Sequence, residues 1–119
     1  MLGAAHACAN PLTARFGIPH GVAVGLMLPH VVSFNRVEVD ALYAELENTE
    51  PRRDGAPGIE QRICELRQAC GLGGKLKDYD VPRECFGELA EQASEQWTAT
   101  FNPRPVGPEE LRELYESAY

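Results

Sequence analysis

The spacing of apolar positions predicts helices along almost the whole chain. The segment His20–Phe34 is apolar on nearly every face, which is typical of a fully buried helix. Three later segments repeat an apolar residue every three or four positions: Ile59, Ile63, Leu66 and Cys70; Phe86, Leu89, Ala93 and Trp97; Leu111, Leu114 and Ala118. No segment shows the alternation of a strand. The predicted fold class is therefore all-α, a multi-helix domain.

Proline and glycine predict where the helices begin and end. Small and apolar residues from 2 to 9 favour a helix, and Pro11 should bias the residue before it away from helical geometry. Gly17 and Pro19 mark a loop, and Pro29 should kink the apolar helix or end it early. A separate short helix is expected over 37–46, and the polar segment 48–58 should be an exposed loop. Pro108 suits the first position of the last helix.

Length and charge exclude several classes of function. With 119 residues, the chain is expected to be a single helical domain over 1–119. A net charge of −7 argues against a nucleic-acid partner. The apolar run falls short of the roughly 20 residues that a membrane helix needs, and no signal peptide is evident. Four cysteines without a CxxC pair fit a reducing compartment, so we expect a cytoplasmic protein without a membrane partner.

All three histidines lie within the first 30 residues, at His6, His20 and His30. On one straight helix His6 and His20 would lie about 21 Å apart, too far for a shared metal ion. Pro11, Gly17 and Pro19 should turn the chain after Asn10, so that His20 can fold back toward His6. The spacing therefore permits a shared site without requiring one. Ordinary structural or surface histidines are the commoner outcome of such spacing. His30, inside the apolar helix, is expected to be a hydrogen-bonded core residue.

The residue types in these segments are more informative than the spacing of the histidines. The chain reads GAAHACANPL at 3–12, PHG at 19–21, LPH at 28–30 and FN at 34–35, then NPRP at 102–105 and PEEL at 108–111. This order of motifs closely resembles the signature of the iron-containing (group III) alcohol dehydrogenases. The resemblance covers effectively the whole chain and corresponds to the helical, C-terminal half of that family.

The resemblance implies a divalent metal site. The family binds Fe²⁺, sometimes Zn²⁺, through one aspartate and three histidines, and His6 and His20 match the last two histidines. Metal-activated alcohol would pass a hydride to NAD(P), giving interconversion of small alcohols and aldehydes. Asn10 stands where many relatives have a histidine near the nicotinamide. It is therefore the candidate catalytic position, although an asparagine cannot relay a proton at neutral pH.

Two parts of the family pattern are not matched in this chain. The aspartate and the first histidine belong to an upstream helix, and the nucleotide-binding half is also upstream. The sequence GLGG at 71–74 follows no strand, so it does not fit a dinucleotide-binding turn. We therefore expect weak, exchangeable metal binding that prefers zinc, nickel or copper to iron, and no activity from the isolated chain.

The unmatched helices would cover part of the apolar helix in the full-length family. We therefore expect self-association or pairing with a complementing N-terminal half. Three interpretations stay open: a silent part of a dehydrogenase, a split-enzyme subunit completed by a partner chain, and a non-catalytic helical interaction module.

Overall fold

The computed structural model describes residues 2–46 and 58–119. Within these ranges the secondary structure is helical and no strand occurs, so the all-α prediction is confirmed. The five α-helices are α1 (Ala4–Phe16), α2 (His20–Leu46), α3 (Ile59–Ala69), α4 (Phe86–Ser94) and α5 (Pro108–Ser117). Three short 3₁₀ turns lie at Leu76–Tyr79, Arg83–Cys85 and Trp97–Phe101. The loop predicted over 48–58 lies outside the described residues except for Gly58.

The core is built where α1, α2, α4 and α5 meet. Phe86 and Tyr115 are fully buried and stack with ring centres 5.9 Å apart, which joins α4 to α5. The Tyr115 hydroxyl donates to the backbone carbonyl of Cys8 at 2.8 Å and so ties α5 to α1. Small side chains at Ala4 and Ala5 are also buried, so the start of α1 is packed into the core.

The prediction that the chain leaves the helix at Pro11 is wrong. Helix α1 continues through Pro11 to Phe16 and ends at Gly17, whose φ of 67° is left-handed and whose N–H donates to the Thr13 carbonyl. A proline removes one backbone donor and strains the preceding turn, but Pro11 and Leu12 are both buried here. Burial of apolar surface offsets that local cost. The loop predicted at Gly17 is present in the structure.

Helix α2 is longer than the sequence predicted. Pro29 lies inside it without ending it, and the predicted separate helix over 37–46 is its continuation beyond a kink at Val39 (φ −133°, ψ 23°). With 27 residues, α2 is long and apolar enough to span a membrane by length and composition. A core helix meets the same criterion, and Leu26 and Met27 of α2 are buried in the core.

The prediction that Trp97 belongs to the core face of a helix is also wrong. Helix α4 ends at Ser94, and Trp97 begins the following 3₁₀ turn with 64% of its surface exposed. Its ring lies edge-on to Phe101, which is also exposed, with ring centres 5.5 Å apart. Two aromatic side chains therefore face solvent beside the end of α4.

Candidate metal centre

The structure brings His6 and His20 together. His6 lies in the first turn of α1 and His20 is the first residue of α2. Their ring centres are 5.3 Å apart, with ring planes inclined at 51°. Helix α1 rises about 15 Å from His6 to Phe16, and the four chain steps from Phe16 to His20 can return up to about 14 Å. The reversal therefore occurs at Gly17 to Pro19, not directly after Asn10.

The separation of the two rings fits ligation of one metal ion. With metal–nitrogen bonds of about 2.0–2.1 Å and ring centres roughly 1 Å behind the nitrogens, two imidazoles on a tetrahedral ion have centres about 5 Å apart. The 5.3 Å between His6 and His20 agrees with this geometry. Imidazole nitrogens suit zinc, iron, nickel and copper alike. As donors, the two histidines therefore fit a divalent transition-metal ion.

The position of His6 depends on a buried pair of amides. Asn102 Oδ1 accepts a hydrogen bond from the Ala4 amide at the start of α1, at 3.3 Å. The same side chain pairs reciprocally with Asn35 of α2, with N–O distances of 3.0 and 2.6 Å. A backbone N–H at a helix start has no partner within the helix. Asn102 therefore supplies that partner and fixes the first turn of α1, which carries His6, to α2.

Arg104 strengthens the same junction. Its guanidinium lies 3.9 Å from the centre of the Phe34 ring and donates to the Phe34 carbonyl at 2.9 Å. Asn102 Nδ2 also donates to the Arg104 carbonyl at 2.7 Å. The FN and NPRP motifs thus meet in space, although 66 or more residues separate them in sequence. This network fixes the positions of the helices. Its contacts were not predicted from the sequence, although the motifs that contain its residues were noted.

The electrostatics of His6 suit ligation. Burial lowers its pKa below the ordinary value, and the neighbouring His20 lowers it further when charged. A lowered pKa means that the neutral imidazole is favoured, and neutral imidazole is the form that binds a metal. His6 is half-buried and His20 is exposed at the surface. The pair therefore opens toward solvent on the His20 side.

Asn10 lies one helical turn beyond His6 on the same face of α1. Its Nδ2 donates to Gln96 Oε1 at 2.9 Å, which holds its amide against the segment that follows α4. Nothing in the sequence pointed to Gln96. The amide of Asn10 is thus held by Gln96, one helical turn along α1 from His6.

Over residues 2–46 and 58–119, no group of three or more His, Cys, Asp or Glu side chains is arranged to hold a metal ion. The described part of the chain therefore offers His6 and His20 and no third protein ligand.

Comparison with known proteins identifies the family and supports the fold. The profile of the Fe-containing alcohol dehydrogenase family, C-terminal, matches residues 1–119. The chain belongs to this family. It is 31% identical to 1,3-propanediol dehydrogenase of Citrobacter freundii, covering 99% of this chain and 32% of that protein. It is 29% identical to lactaldehyde reductase of Escherichia coli K12, covering 99% of this chain and 33% of that protein.

Solved structures give the same result. An alcohol dehydrogenase from Oenococcus oeni superposes with a TM-score of 0.87 at 28% identity, over 99% of this chain and 33% of that one. A 1,3-propanediol oxidoreductase superposes with a TM-score of 0.85 at 27% identity, over 99% of this chain and 33% of that one. The chain thus spans about a third of the length of these relatives. The family resemblance drawn from the motifs is confirmed.

An apolar groove lies beside His6 in this family member. It is a cavity of about 340 Å³ between the start of α1 and one side of α2. Most of its wall is apolar side chains: Leu2, Val24, Leu28, Val31, Val32, Tyr43 and Phe101. Leu2 and Phe101 at its rim are exposed, and Trp97 adjoins Phe101. His6 therefore borders an apolar groove.

His30 lies apart from the histidine pair. It is ten residues beyond His20 on α2, about 15 Å along the helix axis. It is half-buried, and its ring makes no hydrogen bond to the described part of the chain. The prediction of a hydrogen-bonded core histidine is therefore wrong. His30 instead lines two cavities, one formed with α5 and the other with α3, the loop after it and the end of α5.

Proposed function

We propose that this chain is the metal-binding domain of an NAD(P)-dependent alcohol dehydrogenase that interconverts small alcohols and aldehydes. The observation that carries the proposal is the 5.3 Å separation of the His6 and His20 rings. Family membership over residues 1–119 supports it, as do relatives named for 1,3-propanediol and lactaldehyde. The relatives point to small hydroxylated substrates.

In this proposal His6 and His20 hold Fe²⁺ or Zn²⁺ together with an aspartate and a histidine from another segment. When bound, the metal supplies Lewis-acid polarisation of the substrate oxygen, which lowers the pKa of the alcohol. The lowered pKa of His6 keeps its imidazole neutral and available for ligation at neutral pH. The network around Asn102 fixes the helix start that aims His6 at the site.

Asn10 has a positioning role in this proposal. An amide can donate and accept hydrogen bonds, but it cannot take or give a proton at neutral pH. With its Nδ2 held by Gln96, the Oδ1 of Asn10 is left as an acceptor on the face that carries His6. Asn10 would orient a substrate or nicotinamide group, and the proton from the alcohol would leave by another route.

The apolar groove beside His6 supports a complementing partner segment. An exposed apolar surface of this kind is typical of a surface that another element covers. We infer that the family's N-terminal two-thirds, which carries the nucleotide site and the other ligands, packs into this groove. Self-association of the chain through the same surface is the competing outcome. A reducing, cytoplasmic setting is part of the proposal.

A chimera tests the proposed function directly. The C-terminal third of the Citrobacter freundii 1,3-propanediol dehydrogenase would be replaced by residues 1–119 and assayed for NAD-dependent oxidation of 1,3-propanediol with added Fe²⁺. We expect activity in the chimera and none from the chain alone. His6→Ala and His20→Ala should each abolish activity and metal content, whereas Lys77→Gln on an exposed turn should change neither.

The result that would contradict the proposal is a chimera that folds and binds NAD but keeps its activity and metal content in both histidine variants. The chain would then be a helical interaction module whose histidines serve no metal. Light scattering of the isolated chain gives a second measurement. A dimer that dissociates when Phe101 is replaced by serine would assign the groove to self-association instead of the N-terminal segment.

A further inference from the structure

A second cavity lies along α2 at His30, about 15 Å along the helix axis from His20. Its volume is about 230 Å³, and it is formed where α2, α3, the loop after α3 and the end of α5 meet. The side chains that matter for its chemistry are His30, Cys64, Arg67 and Lys75. No carboxylate belongs to this wall among the residues that the structure describes. The cavity is therefore basic in a chain whose net charge is −7.

The two cations at this wall make no ion pair among the described residues, unlike four of the arginines that the structure describes. Ion pairs with carboxylates are made by Arg15, Arg36, Arg62 and Arg83. Arg67 and Lys75 have no carboxylate partner within 2–46 and 58–119. The pKa of His30 is lowered first by its burial and then by the charges of Arg67 and Lys75. The charges of Arg67 and Lys75 therefore both act within the cavity that His30 lines.

The loop at 73–75 adds backbone donors to this wall. Arg67 Nη2 donates to the Gly74 carbonyl at 2.7 Å, which holds the loop against α3. A Cβ on Gly73 would lie 3.0 Å from Gln68 Cγ, and one on Gly74 would lie 3.1 Å from the Tyr79 ring. Only glycine fits so close an approach without displacement. The N–H groups of Gly73 and Gly74 have no acceptor in the described chain.

The acidic groups nearest this cavity lie outside its lining, at two places: Asp78 Oδ2 accepts a hydrogen bond from the Lys75 backbone N–H at 2.8 Å, and two glutamates lie beyond His30. Glu110 and Glu113 of α5 line a separate cavity that shares His30 and Ser117 with this one. Neither glutamate lines the wall that carries Arg67 and Lys75. The lining itself therefore carries the charges of Arg67 and Lys75 and no carboxylate among the described residues, which favours an anion in this cavity.

We propose that this cavity, the anion pocket, binds a small phosphorylated compound through Arg67, Lys75 and the Gly73–Gly74 amides. A planar guanidinium, a lysine point charge and consecutive backbone N–H groups are the donors that phosphate oxygens use in proteins. Roughly 10–15 Å³ of such volume holds one water, so 230 Å³ admits a phosphate with an organic substituent. The proposal is independent of the metal site.

Isothermal titration of the purified chain with inorganic phosphate and with glycerol phosphate tests the pocket, with sodium chloride at equal ionic strength as the blank. Saturable binding is expected for both phosphates. Arg67→Gln and Lys75→Gln should each raise Kd about tenfold or more, since each removes one charge-assisted contact. Arg62→Gln on the same helix and Lys77→Gln on the next turn carry the same charge change outside the pocket and should leave Kd unchanged.

Alkylation of the cysteines gives a second readout that does not depend on affinity. Cys64 lies on the pocket wall, whereas Cys70 is exposed at the end of the same helix. Cys8 is buried with its pKa raised to about 12, so it will not compete for reagent. Saturating glycerol phosphate should slow alkylation of Cys64 and leave that of Cys70 unchanged.

Three results would overturn the proposal. One is the absence of saturable phosphate binding by the wild-type chain. Another is a Kd for Arg67→Gln and Lys75→Gln equal to that of the two control variants. The third is equal alkylation of Cys64 with and without saturating glycerol phosphate. Lys75→Gln keeps the test valid if Arg67→Gln fails to fold, because the Lys75 side chain makes no hydrogen bond to the described chain.

Discussion

Replacing Asn102 with alanine should destabilise the domain through a single buried junction. The Asn102 side chain accepts a hydrogen bond from the Ala4 amide and forms two hydrogen bonds with the Asn35 side chain. It also donates a hydrogen bond to the Arg104 carbonyl. Alanine removes all four hydrogen bonds and no large apolar surface. The variant therefore isolates the contribution of polar contacts that hold α1, α2 and the segment before α5 together.

The expected magnitude follows from the burial of Asn35. This residue is 4% exposed, so loss of its partner leaves an amide N–H and an oxygen unpaired away from water. Each unpaired buried group costs about 1–3 kcal/mol, without strict additivity. We expect a total loss of about 3 kcal/mol, a large share of the 5–15 kcal/mol that is usual for a domain. At about 4 °C per kcal/mol for this size, Tm should fall by about 12 °C.

Urea denaturation followed by far-UV circular dichroism measures this loss. A double-mutant cycle with Asn35→Ala supplies the interaction energy, which should be about 1–3 kcal/mol because the two side chains bond to each other. Gln61→Ala on the exposed face of α3 is the matched control and should change stability by less than about 0.5 kcal/mol. A loss below about 1 kcal/mol for Asn102→Ala, or strictly additive single variants, would refute the reasoning.

Three further predictions concern stability. Tyr115→Phe removes the hydrogen bond to the Cys8 carbonyl and should cost about 1 kcal/mol in urea melts; an unchanged midpoint would contradict this. Gly17→Ala places a Cβ at φ 67° with open space around it, so about 1 kcal/mol of backbone strain and weaker zinc binding are expected, measured by thermal melts and titration. The lowered pKa of His30 means that the folded state resists its protonation, so stability should fall as pH drops through the ordinary value of about 6.5. Between about pH 7.5 and 5.5, the His30→Gln variant should lose less folding stability than the wild type. Equal losses in the two proteins would contradict this prediction.

The sequence predicted the helices well where apolar periodicity and end signals agreed. Helix α3 begins at Ile59 and α5 begins at Pro108, as their patterns indicated. The loop at Gly17 was predicted correctly, because a left-handed backbone favours glycine at that position. Local sequence preferences were sufficient to predict these helix ends because no tertiary contact opposed them.

The errors arose where tertiary packing outweighed a local preference. The penalty for Pro11 is local, whereas the burial that offsets it depends on helices far away in sequence. The kink in α2 lies at Val39 and not at Pro29, and nothing in the local sequence marks it. The spacing of apolar residues grouped Trp97 with the inner face of α4, but it did not reveal that α4 ends at Ser94. The family motifs identified the two histidines, but only the fold showed that Asn102 fixes the helix start that carries His6.

The central claim is that His6 and His20 share one metal ion, and zinc titration of the chain tests it most directly. Isothermal titration of wild type, His6→Ala, His20→Ala and the double variant should be run beside His30→Ala, a histidine outside the pair. We predict one weakly held Zn²⁺ per chain, lost in either single variant, with the double variant no worse than the singles and His30→Ala unchanged. Zinc binding that survives both single substitutions, or that is lost only in His30→Ala, would contradict the claim.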